Sequence, residues 1–167
     1  MFFRRKPKPK PTADSLALRD MALRVMPSEL GLTPQPERPH VWGALMETGY
    51  DGGVASLVSF ADGSTSMYFS NGGGIIGAGQ HDAVRAAAET WLSSAEECLP
   101  NFVATVGTPL PGVGRVRFYV HTFEGVLTAE ADEQDLGHGR HELAPFFHRA
   151  HRVISAMREA SERTQRR

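Results

Sequence analysis

The densest group of chemically useful residues lies between Asn71 and Arg85, where the chain reads NGGGIIGAGQHDAVR. Glycines at 72, 73, 74 and 77 would let backbone N–H groups approach an anion, and a helix starting just after them adds partial positive charge. Asn71, Gln80, His81, Asp82 and Arg85 would supply the polar walls. A small ligand or phosphate-type anion bound by Asn71, Gly72, Gly73, Gly74, Gly77, Gln80, His81, Asp82 and Arg85 is therefore one expectation. The run Gly72 to Gly77 also spells G-x-G-x-x-G, but the dinucleotide version needs a βαβ unit with an acid about twenty residues on, at the end of the next strand. Here the preceding strand comes out of a hairpin, and Glu96 and Glu97 fall inside the following helix. A nicotinamide cofactor is not expected, and no other cofactor is indicated.

His138, His141, His148 and His151 form the second group. Two H-x-x-H pairs suggest a metal, yet at 100° per residue His141 and His148 fall opposite the apolar stripe, about 10 Å apart along a helix axis. His141-Glu142 is not a zincin motif, because Pro145 stands where its second histidine belongs. A solvated helix face is expected and no metal site is assigned. No catalytic residue is assigned either. There is no G-x-S-x-G elbow. The single Cys98 sits at a helix C-terminus, where the dipole disfavours a thiolate.

Lysine is confined to Lys6, Lys8 and Lys10, which excludes P-loop, Schiff-base and lysine general-base chemistry from the rest of the chain. Five of the eighteen cations lie in residues 1–10, leaving thirteen against nineteen acids, a balance of −6. Nucleic-acid binding by so acidic a body is not expected. MFFRRKPKPKP reads as a solvated basic arm over residues 1–12, able to make at most weak contact with an anionic membrane. No apolar run is long enough to cross a bilayer and no signal sequence is legible, so the expected location is the cytoplasm.

The elements that position these groups follow from periodicity. A helix capped by Asp14 and running to about Met26 repeats Leu18, Met21, Ala22 and Val25 at helical spacing, and three prolines follow in GLTPQPERPH. Strands alternate over 40–50, 54–60 and 65–70, with Asp62-Gly63 suiting a type I′ hairpin. Val84, Ala88, Trp91, Leu92 and Ala95 stripe a helix over 82–99, which Pro100 stops. Residues 115–123 and 126–132 form a second hairpin, with room for a short strand at 102–106. After the polar loop DEQDLGHG a last helix starts near Arg140, carries Leu143, Phe146, Phe147, Ala150, Val153 and Met157, and ends in a polar tail over 161–167. The order α-β-β-β-α-β-β-α predicts an α+β fold over 13–160, in which a predominantly antiparallel five-stranded sheet, a three-strand meander plus a hairpin, packs against helices.

With the chemical classes weakened, the leading functional expectation is a non-enzymatic module acting through protein–protein contact, with another protein or a second copy of itself, by a sheet edge or a helix face. The small-ligand or anion site at 71–85 comes second. A hydrolase or metal-dependent enzyme using His81 with the later histidines comes third.

Overall fold

A computed structural model describes residues 12–167. Apart from Thr12, the basic arm lies outside the described residues.

The chain is an α+β fold built on one open antiparallel sheet. Helix α1 (Ala13–Arg24) is followed by the meander β1 (Val41–Tyr50), β2 (Gly53–Phe60) and β3 (Thr65–Phe69), and then by a two-residue strand β4 (Gly74–Ile75). Helix α2 (Asp82–Cys98) leads to a second two-residue strand, β5 (Val103–Ala104), and to the hairpin β6 (Arg115–Thr122) and β7 (Gly125–Asp132). Helices α3 (Glu133–Gly137) and α4 (Ala144–Gln165) close the chain. The order across the sheet is β4-β3-β2-β1-β6-β7-β5. The five expected strands are present, and the sheet is widened to seven by β4 and β5, one at each edge. Edges that short offer little template for strand addition.

Two cores follow from the period-2 alternation of the central strands. Ala44, Met46, Leu57, Val116, Phe118 and Val120 face α2 and α4, where Trp91 and Phe146 pack with ring centroids 5.6 Å apart. Leu45, Val58, Tyr68 and Tyr119 face the other way, toward Ala22 and Leu23 of α1. The 105–114 segment also crosses that second face. Tyr119 donates its hydroxyl to the Pro109 carbonyl at 2.8 Å, and a Cβ on Gly49 would meet the Gly112 carbonyl oxygen at 2.0 Å.

Four local expectations are corrected. The cap of α1 is Thr12, whose Oγ1 accepts from the Ser15 N–H at 3.2 Å; Asp14 lies in the first turn. The Asp62-Gly63 turn is not type I′, because Gly63 alone takes a positive φ (+94°) while Asp62 uses its carboxylate to accept from the Ser64 N–H. The polar run after β7 contains α3, capped by Asp132, whose Oδ1 accepts from the Gln134 and Asp135 N–H groups. Helix α4 starts at Ala144 rather than near Arg140, since Pro145 is tolerated only in a first turn, and it continues to Gln165.

Candidate functional site

The glycine run is a hairpin tip followed by a tight connection. Gly72 donates its N–H to the Phe69 carbonyl and Phe69 donates to the Gly73 carbonyl, closing the β3–β4 turn with Gly72 and Gly73 at φ +103° and +83°. Gly77, at φ +74°, leads into a single 3₁₀ turn over Ala78–Gln80. Gly79 is demanded by close approach, because a Cβ there would lie 1.7 Å from the Gly63 carbonyl oxygen. Gly79→Ala should therefore cost about 1–3 kcal/mol, read as a lower urea midpoint. Wild-type stability in that variant would mean that the loop tolerates displacement.

The polar residues at this junction disperse. Arg85 turns back to donate from Nη2 to the Gly79 carbonyl at 3.0 Å, which ties the loop to α2. Asn71 and Gln80 are exposed. His81 and Asp82 line a cleft of about 550 Å³ with Glu159, Arg163, Thr164 and Arg167 from the far end of the chain. Residues 71–80 do not contribute to it. His121 and Arg117 do not converge on it either: His121 is buried beneath α1 on the opposite sheet face, and Arg117 bonds Glu130 and Thr128 on β7.

The later histidines also separate. His141 precedes α4 and accepts from the Leu143 N–H through Nδ1 at 3.0 Å, while the rings of His148 and His151 both lie against Phe147. Burial depresses the His151 pKa, helped by His148 and Arg158. Burial, helped by Glu97, raises that of the Cys98 thiol, so it is a poor nucleophile at neutral pH. Among the described residues no group of three or more His, Cys, Asp or Glu is placed to hold a metal ion. No helix among them is long and apolar enough to cross a membrane.

The feature that periodicity misplaced is α1. Its expected buried stripe was Leu18, Met21, Ala22 and Val25; its buried residues are Ser15, Arg19, Ala22 and Leu23. The roll of the helix is set by a buried ion pair. Glu47, midway along β1 and fully buried, accepts from Arg19 Nε at 3.0 and 2.9 Å and from Arg19 Nη2 at 2.8 Å. The Ser56 hydroxyl donates to the same carboxylate at 2.7 Å, and Arg19 Nη2 also reaches the Thr108 carbonyl at 2.7 Å. A buried carboxylate needs a partner more than Met21 needs burial, so the helix presents Arg19 to the sheet.

Turning Arg19 inward leaves the apolar stripe beside an open groove. Leu18, Met21 and Val25 form one wall of this space of about 240 Å³, and Val58, Phe60 and Tyr68 form the other. Met21 is 68% exposed, and Ile76, just beyond β4, is 70% exposed at the rim. Tyr68 is buried with a hydroxyl that has no hydrogen-bond partner among the described residues, and burial next to Glu47 holds its pKa above the ordinary tyrosine value, so it is neutral here. Among the described residues no charged side chain lines the groove. It suits apolar contact and not acid–base chemistry.

Comparison of the chain with models of protein families, with curated proteins and with solved structures gives no match.

Proposed function

We propose that this chain is a non-enzymatic interaction module whose contact surface is the groove between α1 and strands β2 and β3, and that its partner there is a second copy of the chain. The observation that carries the reading is that knob and hole occupy one patch. Met21 and Ile76 project from the rim of the hollow walled by Leu18, Val25, Val58 and Phe60. A two-fold contact requires one surface to be complementary to itself, and this patch offers a protruding methionine and a place to seat one. Methionine adapts well to such packing. The two-residue edge strands favour the helix face over the sheet edge as the point of contact.

Dilution followed through methionine methyl NMR signals tests this reading. The Met21 methyl should shift with concentration while that of Met46, sealed in the main core, stays fixed. Concentration-independent signals for both would contradict it.

A further inference from the structure

A second cleft, of about 410 Å³, shares no lining residue with the α1 groove. It lies between the 31–38 connector, the start of β1, the β6–β7 turn and the outer side of α2. Its notable group is Arg38. Every other residue from Thr33 to His40 is exposed, whereas Arg38 is 8% exposed and runs into the cleft. Its guanidinium donates from Nη1 to Glu89 at 2.7 Å, and no other acceptor among the described residues holds it. A guanidinium carries five donors, and the unused ones are not sealed from solvent. The Glu89 side chain is 51% exposed and can swing into water at little cost. Leu32, Ala61 and Phe123 add apolar wall, Ser93 adds a hydroxyl, and Trp42 borders the cleft while only 3% exposed.

From this arrangement we infer a binding site for a small molecule bearing one carboxylate on an apolar or aromatic body. The ligand carboxylate takes the place of Glu89 on Arg38, in the two-point geometry that a guanidinium favours, and the body rests along Leu32, Ala61 and Phe123. Charge selects the class. Glu37 and Glu89 flank the single guanidinium, so a phosphate dianion meets two like charges for one opposite charge, while a monocarboxylate replaces Glu89 one for one. An α-ammonium on the ligand would face Glu37 favourably. The cleft volume matches that of small-ligand sites generally.

The test is an NMR titration of the full chain with 3-phenylpropionate, L-phenylalanine, phenethylamine and inorganic phosphate. The readout is the indole N–H signal of Trp42, which borders the cleft, with Trp91 in the core between the sheet, α2 and α4 as the internal reference. Saturable shifts of Trp42 with both carboxylates, and none with the amine or phosphate, are expected. Tighter binding of L-phenylalanine than of phenylpropionate would show that the ammonium is also read, and equal binding would assign recognition to the carboxylate alone; both support the site. Arg38→Gln should weaken binding at least tenfold. Glu89→Gln should tighten it several-fold by removing the internal competitor, which a merely structural ion pair would not do. This second variant decides the matter if the first fails to fold. No saturable shift with either carboxylate, equal response to phosphate or phenethylamine, or unchanged affinity in Glu89→Gln would overturn the inference.

Discussion

Replacing Glu47 with leucine is expected to destabilise the fold by about 3–5 kcal/mol, the largest effect of any single substitution considered for this chain. The reason lies less in the loss of an attraction than in what remains. Glu47 takes three hydrogen bonds from Arg19 and one from Ser56 in the space between the sheet and α1. Without the carboxylate, Arg19 stays buried with only the Thr108 and Pro109 carbonyls to face. The helix must then lift to hydrate the guanidinium, or the domain must bear an unpaired charge. In a domain of this size each kcal/mol corresponds to about 2–4 °C, so the melting temperature should fall by about 10 °C. The double variant Arg19→Met with Glu47→Leu should recover most of the loss, because no charge is left unpaired. Urea unfolding followed by far-UV circular dichroism measures both. A single-variant cost below about 1 kcal/mol would mean that the pair does not anchor α1.

The second large effect is a dependence on pH centred on His121. Its ring is buried on the α1 side of the sheet, 4.7 Å from the Trp42 ring and 5.5 Å from that of Phe60, and neither nitrogen makes a well-formed hydrogen bond among the described residues. Burial drives its pKa down to about 4; the carbonyls of Ala22 and Leu23, in the last turn of α1, draw it back only in part. The folded value lies below the unfolded value of about 6.5, so the unfolded chain binds more protons between these limits. The stability due to neutral His121 is complete above about pH 6.5 and is lost as pH falls toward 4. The full loss is on the order of 3 kcal/mol. His121→Leu should flatten this part of the profile, and subtracting the variant's curve from the wild-type curve removes the contribution of carboxylates titrating nearby. Parallel curves from pH 7 to 4 would show that His121 protonates without cost. Because the ring sits below the end of α1, the same acidification should loosen one wall of the groove.

Much of this architecture was legible in the residues. Helices α2 and α4 announce themselves through long apolar stripes that only one face can bury, and the meander and the second hairpin through alternation broken by glycine turns. Strand β4 was not legible, since two residues cannot display a period, whereas β5 falls within the short strand read at 102–106. Helix α3 was hidden in a polar run where Asp132 was the sole signal. The glycines of 72–79 stand out in the sequence, and the structure uses them for positive φ and close backbone approach, yet the residues alone do not say whether a ligand or only a neighbouring carbonyl approaches. The groove was invisible for a different reason. Arg19 finds its partner 28 positions later, on a strand that otherwise reads as apolar, and only that distant contact fixes which side of α1 faces inward. The lone acid in VWGALMETGY was the available clue: on its alternation Glu47 shares a face with Leu45, and a buried carboxylate there required a cation from some other element.

Sedimentation equilibrium over a range of concentrations, on the wild-type chain and on Met21→Glu, measures self-association through the α1 groove. The wild type should pass from the 18.2 kDa monomer to twice that mass as concentration rises. Met21→Glu should shift that transition by at least about tenfold in concentration, roughly 1.4 kcal/mol or more, because a carboxylate would be driven into an apolar seat. A wild type that stays monomeric at every concentration, or a Met21→Glu variant that dimerises equally well, would contradict self-association through the α1 groove.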